Sequence, residues 1–263
     1  MSKEAYRVPV TAAQIARACR GRLVRGPAGA AARGVSTDSR AIRPGEAFFA
    51  LKGPTYDGHA YLPQAVAAGA SVLVVQRLAP MPLARHTPVV EAPDTSRALL
   101  ELAAWHRRRL RATLLAVTGS WGKSTVKDMI GAILSEAGGC CVAPASFNNR
   151  IGVAKTLLSA APDDDFVVTE MGTNHPGEIA ELAAAAKPDI GLITSIGEVH
   201  LEGLGNLEAV REAKAELIAH LPQSGALALN ADDERCASLA GRFEGRVHTF
   251  GPVSYTHLTL PTN

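Results

Sequence analysis

Ala116-Val117-Thr118-Gly119-Ser120-Trp121-Gly122-Lys123-Ser124-Thr125 decides the fold. An apolar run, Leu114 to Val117, stops at two glycines that bracket two residues, and a lysine with two hydroxyls follows. Backbone N–H groups at a helix N-terminus, cleared of side-chain bulk by glycine, form a cradle for anionic oxygens. Gly119, Ser120, Trp121, Gly122 and Thr125 supply that cradle. Lys123 is expected to reach the outer phosphates of a nucleotide, and Ser124 to set its hydroxyl on Mg²⁺. The spacing is G-x-x-G-K-S, shorter than the common form, because Val117 stands where the longer loop has its first glycine. Downstream, Val126, Met129, Ile130, Ile133, Leu134 and Ala137 mark one face of a helix, and Gly138-Gly139 ends it.

Outward from the loop, the alternation continues with a short period. Strands are expected at Thr113–Val117, Cys140–Ala143, Phe166–Glu170, Ile190–Thr194 and Ala226–Leu229. Helices are expected at Ser124–Ala137, Asn149–Ser159, Gly177–Ala186 and Asn206–His220. Short apolar strands separated by such helices make βαβ units and a parallel sheet covered on both faces, with ligands beyond the carboxyl ends of the strands. The fold class is therefore α/β: a small N-terminal α/β domain followed by a P-loop-type, parallel-sheet ATP-binding domain. In the first part, Thr11–Arg20 and Tyr61–Ala68 read as helices, and Ala47–Leu51 and Ser71–Val75 as strands. The Pro-rich stretch Ala79–Pro93 reads as a boundary, with Asp94 or Thr95 capping a helix Ser96–Arg111 that leads into the second domain. The expected division is 1–93, 94–252 and a tail, 253–263. The tail, Val253 to Asn263, resembles the translation of a transposon-end adapter used in sequencing libraries. It is expected to be a cloning or assembly scar.

Bulk properties narrow the function. The 263 residues are 47% hydrophobic and 20% charged, with a net charge of +2, ordinary for a globular protein and no basis for expecting nucleic acid as a partner. Cys19, Cys140, Cys141 and Cys236 show no metal or disulfide spacing, so reduced thiols are expected. Met1 to Arg20 lacks the apolar core of a secretory signal, and no apolar run approaches the ~20 residues that span a bilayer. A cytoplasmic location without membrane insertion is expected.

Further chemistry sits at the strand tips. Glu170 ends a buried strand facing the loop, where an unpaired carboxylate is costly; Mg²⁺ or an arginine could partner it. His200 lies just past the next strand and alone reads equally as structural or catalytic. Lys214, in Arg211-Glu212-Ala213-Lys214-Ala215-Glu216, looks like an ordinary charged helix face. Asn230 ends an apolar strand with an amide suited to a purine edge.

Taken in order, the motifs resemble one family. Ser36-Thr37-Asp38-Ser39-Arg40, Asp57-Gly58-His59, the phosphate loop, Phe147-Asn148-Asn149-Arg150-Ile151-Gly152, Glu170-Met171-Gly172-Thr173-Asn174, His200-Leu201-Glu202 and Ala213-Lys214-Ala215-Glu216 are similar to the Mur ligases of peptidoglycan synthesis, MurF type. The resemblance runs from about Val35 to Asp233. It implies ATP-dependent amide bond formation through an acyl phosphate, joining D-alanyl-D-alanine to UDP-N-acetylmuramoyl-tripeptide by a monomer. Within it, Lys123, Glu170, His200 and Lys214 are catalytic, and Ser124, Glu170, His200 and a carbamylated Lys214 hold metal. Asn230 meets adenine, while Ser39, Arg40, Asn148 and Asn149 meet the UDP-sugar. Carbamylation needs a neutral amine, which costs about 4–5 kcal/mol at pH 7 for an ordinary lysine. Trp121 departs from the asparagine or small residue usual in the loop, with its backbone N–H retained, and Ser195 departs from a common asparagine. Beyond the resemblance, the rest of the nucleotide domain and a third, Rossmann-like domain are expected to be missing, leaving a fragment inactive alone. The alternatives are a non-catalytic nucleotide or UDP-sugar binding module, and another Mur-like amide ligase.

Overall fold

The computed structural model describes residues 10–78 and 86–251. The adapter-like tail, the first nine of the twenty N-terminal residues read for a secretory signal, and the first part of the Pro-rich stretch, 79–85, lie outside the described residues. Residues group into two compact units, 1–110 with 157–162, and 111–156 with 163–263.

In the first unit, strands β1 (Val10–Thr11), β2 (Arg22–Arg25), β3 (Ala31–Ala32), β4 (Val35–Ser36), β5 (Ala47–Phe49), β6 (Val72–Val75) and β7 (Val89–Glu91) accompany helices α1 (Ala12–Ala18), α2 (Leu62–Ala67) and α3 (Thr95–Arg107). Five strands form a sheet in the order β2-β7-β6-β5-β4, antiparallel only at β2/β7. Thr11 and Gln14 close a capping box that starts α1. One core cluster gathers Phe48, Leu62, Ala65, Leu73 and Val89. Two expectations shift here. The Pro-rich boundary contains β7, an interior strand of the sheet, because Val89-Val90 are buried. Helix α3, capped by Asp94, groups with this unit rather than the next. Its buried face explains why: Thr95 Oγ1 donates to Ala50 O at 2.8 Å, and the Cys19 thiol donates to Ala98 O.

The second unit holds β8 (Thr113–Thr118), α4 (Lys123–Ala137), β9 (Cys140–Val142), α5 (Arg150–Ser159) except its last three residues, β10 (Phe166–Glu170), α6 (Glu178–Ala186), β11 (Ile190–Ile193), α7 (Leu201–Leu204), α8 (Leu207–Ala215), β12 (Ala226–Asn230), α9 (Glu234–Ala237) and β13 (Arg246–Phe250). Its sheet is parallel throughout, in the order β13-β12-β11-β8-β10-β9. All five expected strands and all four expected helices are present within a few residues. Strand β13 and the short helices α7 and α9 were not foreseen, since none carries a long periodic pattern. Ile193, Val210, Ala213, Leu227, Leu229 and Cys236 share one core. Among the described residues no disulfide forms, and all four cysteines are buried.

Strand order reverses at β8. The chain leaves β8 on one side for β9 and β10, then crosses to the other for β11 to β13. The crevice beyond such a reversal is where ligands bind in open α/β sheets. Right-handed crossovers put α4 on one face and α5, α6 and α8 on the other. The apolar stripe of α4 does not meet the sheet as its spacing suggests. Its fully buried residues are Lys127 and Gly131, while Met129 and Ile133 are 61% and 68% exposed.

Candidate functional site

The apolar run of β8 ends at Thr118, whose hydroxyl donates to Met171 O at 2.8 Å. The turn that follows needs glycine twice. Gly119 takes φ 142°, and a Cβ there would collide with Thr194 Oγ1; Gly122 takes φ 80° at the helix N-cap. No side chain caps α4. Its first amides, which a helix leaves without intrahelical partners, therefore point into the crevice.

Neighbouring strand tips brace the loop. Ser120 N–H donates to Ser195 O (2.8 Å), and Gly197 N–H donates to Ser120 Oγ (2.9 Å). Trp121 N–H donates to Ser195 Oγ at 2.9 Å. That amide was expected to serve the phosphate cradle; the Ser195 hydroxyl has taken it. That leaves the α4 amides from Gly122 onward at the helix N-terminus, where an anion is favoured. The Trp121 indole is 56% exposed and lies against Gly197, where any Cβ would strike the ring.

Lys123 Nζ folds back to donate to Gly119 O (2.8 Å) and Ser120 O (3.2 Å). Burial pushes its amine below the ordinary lysine range, partly offset by the Glu170 carboxylate. Glu170 is 1% exposed. Among the described residues, its partner is neither an arginine nor another charge in direct contact. Oε2 accepts from Ser124 Oγ at 2.8 Å and Oε1 from Asn148 Nδ2 at 2.9 Å. Asn148, expected at the UDP-sugar, is thus placed on the carboxylate at the phosphate loop. Asn149 Oδ1 accepts from Gly152 N–H at 2.9 Å and starts α5.

Lys214 is buried, not the solvated helix face its neighbours suggested. Burial first, then the Lys123 ammonium, push it down to about 8, against the upward pull of Glu216 and Glu178. Glu216 caps α6 by accepting from Gly177 N–H (2.6 Å) and Ala180 N–H (2.9 Å). Glu178 accepts from Asn174 N–H at 2.6 Å; burial pushes its carboxyl up, but hydrogen bonds from Asn174 and His175 outweigh this and hold it low. Two lysines whose charge burial disfavours, one repelling the other, next to uncapped helix amides, make a site that gains by taking an anion.

His200 is the N-cap of α7, at φ 54°, and opens on a cleft of about 470 Å³ lined also by Asn174, His175, Leu201, Glu202 and Gly203. Among the described residues, no hydrogen bond or ion pair joins it to Glu170 or Lys214. Asn230 donates to Thr194 O (3.0 Å) and accepts from Asp232 N–H (3.0 Å), which leaves one N–H and one lone pair for a ligand. Ser39 and Arg40 belong to the first unit. Ser39 Oγ donates to Gln64 Oε1 (3.1 Å), and Arg40 grips Asp38 through Nε and Nη2 (2.9 and 2.8 Å).

The described residues contain no group of three or more His, Cys, Asp or Glu able to hold a metal. Ser124 and Glu170 nonetheless present adjoining hard oxygens. They fit Mg²⁺, which keeps several waters and takes phosphate oxygens alongside one or two protein groups.

Residues 117–257 match the family model described as the Mur ligase middle domain, and residues 32–110 match that of the Mur ligase family catalytic domain. The chain belongs to the Mur ligase family. This Mur ligase chain is 42% identical, over 219 residues, to the UDP-N-acetylmuramoyl-tripeptide–D-alanyl-D-alanine ligase of Synechocystis sp., covering 82% of this chain and 48% of that protein. It is 43% identical over 199 residues to the ligase of the same name from Escherichia coli, covering 76% and 43%. Among solved structures, MurF from Acinetobacter baumannii superposes with a TM-score of 0.85 at 31% identity, over 93% of this chain and 54% of that one. MurF from Thermotoga maritima in complex with ADP gives 0.75 at 27%, over 82% and 50%. The chain spans about half the length of the relatives it matches. No helix among the described residues is long and apolar enough to cross a membrane.

One pairing and one residue escaped the sequence reading. Nothing local marks Asn148 as the partner of Glu170, 22 positions away. Lys127 carries a signal that was available: at i+3 from Ser124, it shares the helix face that Ser124 turns toward Glu170.

Proposed function

We propose that the protein is an ATP-dependent amide ligase that adds D-alanyl-D-alanine to UDP-N-acetylmuramoyl-tripeptide, in the cytoplasm and as a monomer. The observation that carries this is the convergence of Lys123, Ser124, Glu170 and Lys214 at one strand crossover of a Mur ligase domain. ATP supplies the phosphoryl group that turns the tripeptide carboxylate into an acyl phosphate, with ADP released. The dipeptide amine then attacks that carbonyl, and phosphate departs.

The chain's own groups position and neutralise charge. The amides of Gly122 to Thr125 hold the outer phosphates, and Lys123 leaves its loop carbonyls to meet them. Ser124 and Glu170 would hold Mg²⁺, which supplies charge neutralisation between phosphate oxygens; His200 and a carbamylated Lys214 are assigned to a second such site. Lys214 is suited to carbamylation because its burial makes the neutral amine accessible. Asn230 uses its remaining donor and acceptor on the adenine edge. Ser39, Arg40 and Asn149 are assigned to the UDP-sugar. Division into a UDP-sugar unit and an ATP unit follows the same assignment.

Calorimetry with Mg·ATP tests the nucleotide part: uptake is expected for the chain and lost in Lys123→Ala. Phosphate release that requires both UDP-N-acetylmuramoyl-tripeptide and D-alanyl-D-alanine, in a protein of the relatives' length carrying this segment, tests the ligase part. Phosphate release with glutamate and a folate instead would overturn it.

A further inference from the structure

Lys127 is 0% exposed, the most enclosed charged side chain of α4, and the ligase chemistry assigned above does not use it. Its Nζ donates to Ala143 O at 2.7 Å and pairs with Asp128 Oδ1 at 2.9 Å. Ala143 follows the last residue of β9 and begins the loop that ends at Asn148. Ala143 N–H donates to Val168 O, Phe147 N–H donates to Pro144 O, Asn148 N–H donates to Ser146 O, and Ser146 sits at φ 64°, a conformation unusual for serine. At its far end Asn148 O accepts from Gly172 N–H, and Asn148 Nδ2 donates to Glu170 Oε1.

One turn earlier on the same helix face, Ser124 Oγ donates to the other oxygen of Glu170. A ring closes: α4 through Ser124 to Glu170, Glu170 to Asn148, Asn148 along the loop to Ala143, and Ala143 to Lys127 back on α4. We propose that Lys127 is a positioning residue. It fixes the start of the 143–149 loop to the phosphate-loop helix, so that Asn148 orients the Glu170 carboxylate for the metal that accompanies the nucleotide. Burying an ammonium is costly, and a donor to one carbonyl could be supplied by a neutral group. The charge gives a strong, short bond that ties the end of β9 to α4, beside the backbone bond from Ala143 N–H to Val168 O. Rotation of α4 follows from the same ring: Ser124 and Lys127 must both face the sheet, which turns Met129 and Ile133 outward.

The proposal rests on the assignment of Glu170 to the metal, and its test separates the two. ADP affinity of the 263-residue chain is measured with Mg²⁺ and with EDTA for wild type, Lys127→Met, Asn148→Ala and the double variant. Each single change is expected to cut the Mg²⁺-dependent tightening about tenfold or more while leaving affinity in EDTA unchanged. The double variant is expected to be no weaker than the worse single one, because both break the same ring. Lys127→Met with lowered thermal stability but wild-type Mg²⁺ tightening overturns the proposal, as does a double variant with the product of the two losses. If wild-type ADP affinity ignores Mg²⁺, the metal assignment falls, and hydrogen exchange decides on Lys127: faster exchange at the Gly172 amide in Lys127→Met supports the linkage, and unchanged exchange overturns it. Should the methionine variant not fold, Lys127→Gln, too short to reach Ala143 O, is read by the same criteria.

Discussion

Replacing Lys214 with methionine is expected to stabilise the fold at neutral pH. The wild-type ammonium titrates near 8 in the folded chain against an ordinary value of 10.5. Between these values the unfolded chain holds a proton that the folded chain has released, so stability rises with pH across that window. Below about pH 8 both states are protonated and the penalty is complete. At 1.36 kcal/mol per pKa unit, it amounts to about 3 kcal/mol. Methionine keeps the length of the side chain without its charge, so the variant escapes the penalty. Urea titrations in metal-free, CO₂-depleted buffer compare the two proteins from about pH 7 to pH 10. The variant should be more stable by about 3 kcal/mol at pH 7, with the gap closing toward pH 10.5. A gap that does not change with pH, or a wild type more stable at pH 7, refutes the reasoning. The same depression matters for chemistry. A neutral Lys214 costs about 1.4 kcal/mol at pH 7 instead of the about 4–5 of a free lysine, which brings carbamylation within reach of a modest nearby charge.

Three further outcomes are expected. Gly119→Ala places a Cβ against Thr194 Oγ1 at φ 142° and should abolish ADP binding by calorimetry while leaving the circular dichroism spectrum in place. Gly131→Ala should lower stability by about 1 kcal/mol in urea, although alanine is the better helix former, because its Cβ falls 2.6 Å from Val142 Cγ2. Glu212 accepts from both terminal nitrogens of Arg242 at 2.7 Å, and that pair, with Arg211, holds its carboxyl at about 2. Arg242→Ala should return it toward the ordinary carboxylate range in an NMR titration. Since a depressed carboxyl stabilises only while ionised, this contribution is complete above about pH 4.5 and the wild type loses it as pH falls from there through about 2.

Much of the second unit was legible from residue order. Leu114 to Val117 and Phe166 to Thr169 are continuous apolar runs, which only strands buried on both faces require, and they appear as β8 and β10. Gly119 and Gly122, read as clearing side-chain bulk from the loop, also adopt the positive φ angles that glycine tolerates. These are properties of neighbouring residues, and local sterics set them. The edge strand β13, half exposed and without an apolar run, left no such trace.

The sequence by itself determined the strand–loop–helix cradle, the parallel α/β layout and the presence of Glu170 at a strand tip, because each depends on chemistry within one segment. Only the tertiary structure decided what those groups meet. It set Asn148 rather than an arginine on Glu170, gave Trp121 N–H to Ser195, and buried Lys214 within range of Lys123. It also turned Lys127, not the apolar stripe, toward the sheet. Periodicity fixes which side chains share a helix face, but not which face turns inward; here the polar contacts of Ser124 and Lys127 set that rotation against the hydrophobic pattern.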